Sequence, residues 1–402
     1  MRFTRRERAG RAVRAGGSGH AGRTRRPGAG RGRRALVAAA VVVTAVTGTA
    51  GWAAGDTQRP VTGPPPGTAA WRADVETLGR PLPDPAGAAP AEVAAFFRTL
   101  TGPQWRRLAA RHPTVVGNLD GAPVRLRYEA NARALREERA RQLRRAADPV
   151  GTAQDHRKAR VRAERCAELM AGGRRILVFD PRGRGQVAAV YGDLEGAAHT
   201  AVVVPGSDID LDTFDRAKDP LGTPAGMARA LRSRAGEDTA VVAWAGYTTP
   251  IGVGVDAATG GLAEAGAGRL RGFLEGLDAT VTGTPSVFCH SYGSVVCGLA
   301  APHLGSGEAT DLVVFGSPGM RADSVAGLRT GARVWAALAR SDWIARVPNV
   351  EVAGLGHGTD PTEPAFGARR IPAARVHGHT GYFARGTDSL DAFAAITEGR
   401  LR

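Results

Sequence analysis

The sequence predicts an α/β fold: a mostly parallel central sheet flanked by helices, with a helical segment ahead of it. Three observations carry this. Apolar runs at 201–204, 240–244, 287–288, 312–315 and 333–337 read as strands buried on both faces. Helical patterns near 225–235, 262–276 and 292–304 separate several of them, and such alternation implies a parallel sheet covered on both sides. Finally, Ser291 stands between one strand run and one helical run, with Gly293 two residues after it.

Taken in order, the chain divides into five stretches. Residues 1–34 hold twelve Arg and one Glu, so they carry about +11 of the formal +16 and can bury almost nothing. Residues 35–54 are twenty in a row without charge, enough to cross a bilayer once as a helix. The arginines ahead of them predict a cytoplasmic tail and an outward-facing remainder. Gly48-Thr49-Ala50 also resembles a cleavage site, so a signal peptide and a retained single-pass anchor are both open readings. Arg33-Arg34 ahead of the apolar run faintly resembles a twin-arginine signal. The expected location is therefore the cell membrane, with the C-terminal part outside, or the medium. Residues 55–68 are rich in Pro and Gly and read as a linker.

Residues 69–172 read as helical, with short helices broken at Gly102-Pro103, a turn cluster at 117–123, and two long helices over 127–147 and 154–171. The arginines of the last helix read as a solvated face. Residues 173–402 form the α/β domain, opening with a hairpin at 176–191 around Asp180-Pro-Arg-Gly-Arg-Gly.

Composition removes several classes of function. The basic tail carries no interleaved aromatics or nucleic-acid motif, so no specific nucleic-acid partner is expected. Three cysteines, an odd count, argue against a disulfide framework. No His/Cys cluster has zinc spacing, and Asp208-x-Asp-x-Asp lacks the Gly a calcium loop needs at its sixth place, where Thr213 stands. Asp212 and Asp215 read instead as a helix N-cap and a first-turn acid. No cofactor or metal is expected, and the chain is expected to be a monomer.

The chemistry centres on Ser291. A serine between a strand and a helix sits on a tight turn with Oγ pushed out of the sheet, which is the nucleophile elbow of the α/β-hydrolase fold. The G-x-S-x-G pattern matches at four of five places, since Cys289 takes the first. A serine hydroxyl needs a base, and that base an orienting acid. In this fold the order along the chain is Ser, acid, His. Asp342 follows the strand at 333–337 and is the acid, with Asp360 in reserve; a turn-capping Asp is the plainer alternative. The base comes from Val376-His-Gly-His-Thr-Gly-Tyr, where His379 is preferred over His377, with His357 a weaker candidate. The backbone N–H groups of Tyr292 and of Gly206 or Ser207, in the turn after 201–204, would form an oxyanion hole. The glycine-rich stretch 251–261 is a candidate lid, with Tyr247, Pro250 and Ile251 covering a bound acyl group.

Several motifs together resemble the actinobacterial α/β-hydrolases of a domain family long labelled as of unknown function. They are Val-Val-Val-Pro-Gly at 202–206, Ala-Trp-Ala-Gly-Tyr-Thr-Thr-Pro at 243–250, His-Ser-Tyr-Gly-Ser at 290–294, Phe-Gly-Ser-Pro-Gly at 315–319, Ser-Asp-Trp-Ile at 341–344, Phe366-Gly367 and Gly-His-Thr-Gly-Tyr at 378–382. Upstream, the turn cluster at 117–123 and Glu-Ala-Asn-Ala-Arg at 129–133 join them, so the likeness covers about residues 70–400. The Gly-His-aromatic context is what favours His379. The resemblance implies a serine hydrolase and supplies no substrate.

The function expected from the sequence is a serine hydrolase, esterase- or lipase-like, that passes an acyl group from a small-molecule or lipid ester to Ser291 and then to water. Two rivals stand beside it: a cell-envelope binding module on the same fold that has lost catalysis, and an acyltransferase that delivers the acyl group to an alcohol.

Overall fold

The computed structural model of this chain describes residues 57–401. The arginine-rich stretch 1–34 and the uncharged run 35–54 lie outside the described residues. Among the described residues no helix is long and apolar enough to cross a membrane.

The helical segment runs α1 (Thr68–Ala73), α2 (Pro90–Arg98), α3 (Gly102–Arg111), α4 (Pro113–Gly117), α5 (Val124–Ala147) and α6 (Ala153–Met170). Gly102-Pro103, read as a break, opens α3: proline sits in the first turn, where its missing N–H has no helical partner to lose. Thr152 starts α6 by accepting the Asp155 N–H at 3.1 Å.

The sheet then begins with the expected hairpin, β1 (Arg175–Asp180) and β2 (Gln186–Tyr191). There follow β3 (His199–Val204), α7 (Pro224–Ala235), β4 (Thr239–Ala245), α8 (Val255–Ala258), α9 (Gly261–Asp278), β5 (Ser286–His290), α10 (Gly293–Ala300), β6 (Asp311–Phe315), β7 (Arg333–Ala337), a small hairpin β8 (Glu351–Val352) and β9 (Leu355–Gly356), β10 (Arg369–Arg370) and α11 (Asp388–Thr397). The eight-stranded sheet has the order β1-β2-β4-β3-β5-β6-β7-β10; β2 is antiparallel to both its neighbours and the strands from β4 to β10 are parallel. This is the α/β-hydrolase fold. It places the ends of β3, β5 and β7 along one edge, where the loops carrying Gly206, Ser291 and Asp342 emerge.

Alternate residues on each strand feed two cores. Val202, Val204, Val242, Trp244 and Val287 join α9 and α10 on one face. Ala201, Val203, Val241, Ala243 and Phe288 join α5, α6, α7 and α11 on the other. The helical segment is therefore partly a wall of the domain. Its turn cluster and α5 supply the clamp: Asn118 Nδ2 donates to Phe179 O at 2.7 Å while its Oδ1 accepts from Phe179 N, and Asn131 Nδ2 of α5 donates to Ile176 O. Side chains thus pair part of the outer edge of β1, which would otherwise invite another strand.

Two expectations need correction. The α6 arginines do not all face solvent. Buried Arg165 bonds Leu211 O and pairs with Asp215, and Arg162 pairs with Asp212. Residues 210–215 are consequently a turn rather than a helix start, with Asp210 accepting the N–H groups of Asp212 and Thr213. Residues 57–63 of the linker lie bonded across the loop after β4.

Candidate active site

The strand β5 ends at His290 and α10 begins at Gly293, so Ser291 and Tyr292 must reverse the chain between them. Ser291 does this at φ +52°, a left-handed conformation that a residue with a Cβ rarely adopts. Its N–H donates to Phe315 O at 3.1 Å and its carbonyl accepts from Ser294 N at 2.9 Å, which hold the turn. The crowding around it explains Gly293: a Cβ there would lie 2.7 Å from the carbonyl oxygens of Val204 and Pro205. Cys289, two residues before Ser291, belongs to an odd set of cysteines that argued against a disulfide framework. The structure instead bonds it to Cys297, leaving Cys166 as the free, buried thiol. Strand and helix converge at the elbow, which brings these two Cα atoms to 6.5 Å across eight residues of sequence. The small residue needed at this place is thus one half of a staple.

Asp342 and His379 meet on the next loops. His379 Nδ1 lies 2.8 Å and 3.0 Å from the two Asp342 carboxylate oxygens. Asp342 is buried, and it also caps a short turn by accepting the Ile344 N–H at 2.9 Å. The capping and pairing readings of this residue are both realised. Tyr382, fully buried, donates its hydroxyl to Asp342 Oδ2 at 2.7 Å and accepts from Ala339 N. Burial pushes the Asp342 carboxyl up, but the hydrogen bond and charge of His379, with the Ile344 N–H and the Tyr382 hydroxyl, outweigh it and leave the carboxyl below the usual range.

His290 completes this side. Its Nε2 lies 2.8 Å from His379 O, its ring stacks on Phe315, and its centroid is 4.6 Å from that of His379. Burial, then the neighbouring His379, lowers its pKa to about 3, so the ring is neutral and Nε2 carries the donated proton. The sequence reading gave no role to His290 or Tyr382. Both lie inside the motifs at 290–294 and 378–382, and it is three-dimensional contact that gives them work.

The turn after β3 faces the serine. A Cβ on Gly206 would sit 2.6 Å from Ser291 Cβ and 3.1 Å from its Oγ, so only glycine lets this backbone approach. The N–H groups of Gly206, Ser207 and Tyr292 have no hydrogen-bond partner among the described residues. Ser291 Oγ likewise closes no hydrogen bond to His379; such contacts commonly tighten only when substrate arrives.

The reserve candidates fall elsewhere. Asp360 accepts from Thr362 within its own turn, and His377 is exposed. His357 is buried against Tyr292, with Nε2 2.7 Å from Ala257 O.

The glycine-rich stretch carries the short helix α8 and is tied at both ends. At its start, Tyr247 and Pro250 are buried, which corrects their expected contact with an acyl group. Tyr247 stacks on Trp244 and donates to Pro205 O at 2.7 Å, bracing the turn that bears Gly206; the Pro250 carbonyl accepts from Asp208 N. Ile251, by contrast, is 58% exposed. The stretch 57–63 crosses here: Gln58 N donates to Asp256 Oδ2, Gln58 Nε2 to Thr249 O, Ile251 N to Gln58 Oε1, and Val61 N to Thr248 Oγ1. At the far end the Tyr292 hydroxyl donates to Thr259 O and accepts from Ala263 N. Among the described residues no group of three or more His, Cys, Asp or Glu could hold a metal ion; Asp208 accepts from Gly252 N, and Asp210 and Asp212 pair with Arg184 and Arg162.

Residues 180–352 match the model of an alpha/beta hydrolase family. Two proteins of Mycobacterium tuberculosis, uncharacterized protein Rv2079 of strain H37Rv and uncharacterized protein MT2140 of strain CDC 1551, are each 30% identical over 376 residues. The match takes in 79% of this chain and 57% of theirs, so the chain spans a little over half the length of these relatives. Among solved structures, a serine hydrolase without lid from Xanthomonas campestris is 20% identical with a TM-score of 0.34, covering 57% of this chain and 94% of that one. Esterase PE8 is 16% identical with a TM-score of 0.34, covering 53% and 97%.

Proposed function

We propose that this protein is a serine hydrolase that cleaves carboxylic esters through an acyl-Ser291 intermediate. The observation that carries the reading is Ser291 held at φ +52° against the Gly206 turn, while its chain neighbour His290 bonds the carbonyl of His379, which is itself paired with Asp342. With Nδ1 protonated toward Asp342, His379 has Nε2 free as a base. Ser291 Oγ attacks the ester carbonyl as its proton passes to Nε2. The negative charge on the carbonyl oxygen is taken by N–H groups of Tyr292 and of Gly206 or Ser207. His379 gives the proton to the departing alcohol, leaving the acyl group on Ser291. Water then repeats the attack with His379 as base; the carboxylic acid leaves and Ser291 regains its proton.

The test is covalent labelling of the full chain by a fluorophosphonate, with ester turnover measured beside it. Labelling and turnover that both vanish in Ser291→Ala support the reading. Undiminished labelling in that variant moves the nucleophile elsewhere, and labelling of neither chain favours a binding module. Added alcohol that diverts acyl product from acid to ester would favour the acyltransferase.

A further inference from the structure

Large apolar side chains that stand open to solvent gather around the rim of this site. Ile251, Val253 and Val255 are 58%, 58% and 48% exposed. The residues between and after them turn the other way, with Gly252 N donating to Asp208 and Asp256 accepting from Gln58. Trp343, 42% exposed, follows Asp342 and holds its ring 4.9 Å from that of His379. Val352 is exposed on the β8–β9 hairpin. Arg321 links that hairpin to the loop by bonding Glu351 and Gly354 while its guanidinium faces Gly260. Single exposed apolar residues are ordinary, whereas several on one rim mark a contact surface.

Arginines neighbour these positions in the chain. Arg340 and Arg346 bracket Trp343, Arg59 follows Gln58, and all three are exposed with no ion-pair partner among the described residues. The chain also indicates what lies on this side. Gln58 is bonded between Ile251 and Asp256, and Ala54, the last residue of the uncharged run 35–54, stands four residues earlier. At most about 14 Å of chain separates that run from the loop.

We propose that this face docks on an anionic lipid bilayer and that Ser291 draws its ester substrate from that bilayer. The proposal rests on the ester-hydrolase reading for its second half only. Ile251, Val253, Val255 and Trp343 enter the headgroup–acyl boundary, while Arg59, Arg340 and Arg346 meet the phosphates. A lipid acyl chain then reaches the serine along an apolar rim without crossing water.

Two measurements on the full chain separate docking from catalysis. In Ser291→Ala, hydrogen exchange at the amides of 251–258 should slow about fivefold or more on vesicles of phosphatidylcholine with phosphatidylglycerol, and Val253→Ser with Val255→Ser should abolish the slowing. Exchange unchanged by vesicles overturns docking whatever the enzyme does. In the active chain, the same two substitutions should lower turnover of a long-chain ester carried in those vesicles about tenfold, while fluorophosphonate labelling and turnover of a dissolved short-chain ester stay as they were. Equal loss on both esters, or loss on neither, overturns the role of the rim in substrate supply. Protection on vesicles without any ester turnover would keep the docking face and remove the ester reading.

Discussion

The two sides of Ser291 are built in opposite ways. On the acid–base side every group is fixed more than once. Asp342 accepts from His379, Ile344 N and Tyr382, and His379 is held by Asp342 through its ring and by His290 through its carbonyl. These partners are buried in the aromatic core of Phe288, Phe315 and Phe383 or lie against it. On the rim side a glycine-rich loop is held by Gln58 at one end and by Tyr292 and His357 at the other, with its apolar side chains outside. The contrast teaches where precision is needed. On the proposed ester-hydrolase reading, proton transfer tolerates little displacement and its groups are over-determined, whereas a docking surface needs only to be anchored at its ends.

The comparison breaks hardest at Asp342. Asp342→Asn keeps shape but cannot hold the Nδ1 proton, and kcat should fall about 10⁴-fold with the fold intact. A loss under tenfold in steady-state kinetics would mean the pair is structural. Next comes the donor turn. Gly206→Ala forces Cβ onto Ser291, so kcat should fall about 10²- to 10³-fold with KM changed far less. Unchanged kcat would place the oxyanion elsewhere.

A smaller effect concerns acid. Burial lowers the pKa of His290 to about 3 and that of His357 to about 4, well below the value for an unfolded chain. Between pH 6.5 and 4 the unfolded chain therefore binds protons that the folded chain refuses, and stability falls as pH falls. Each histidine should cost about 2 kcal/mol between pH 7 and 5. The groups facing His290 are His379 and Asp342. Asp342, held below its usual range, adds loss only beneath about pH 4. Urea unfolding at pH 7 and pH 5 measures the slope, and His290→Gln should remove about half of the histidine contribution. An unchanged slope in that variant would mean His290 does not stay neutral.

Much of this was legible in residues, and the exceptions share a cause. Strand–helix alternation foretold the parallel sheet because each element writes its own periodicity. The pairing of Asp342 with His379 could be read because the fold fixes the order of its loops. Contacts between distant segments leave no such pattern. Gln58 with Ile251 and Asn118 with Phe179 join elements far apart in sequence, and neither residue type announces its partner. Tyr247 misled for a related reason: an aromatic in a loop beside the site looks like a substrate contact, while its hydroxyl instead braces Pro205 from behind. Cys289 was read singly and makes sense only as a pair.

The smallest effect sharpens the rim. Gln58→Ala removes one part-buried and one exposed hydrogen bond, each worth about 1 kcal/mol, from one end of the loop. Amide exchange over 251–258 should speed up about fivefold or more, while the melting temperature moves by only a few degrees. Equal acceleration across the whole domain would show that residues 57–63 hold the domain rather than the loop.

The Cys289–Cys297 bond has a bearing on the history of each molecule. Both sulfurs belong to fully buried residues at the core of the elbow. A reductant or oxidant reaches them only when strand and helix part, so the bond records the conditions under which a chain folded and not those around it afterwards. Protein matured in a reducing cell and protein matured in an oxidising compartment would then be two separate, persistent populations. Intact mass should distinguish them by about two daltons, with no exchange between them until the domain unfolds. Rapid reduction of the native protein by a mild thiol would show that the elbow opens far more often than its packing implies.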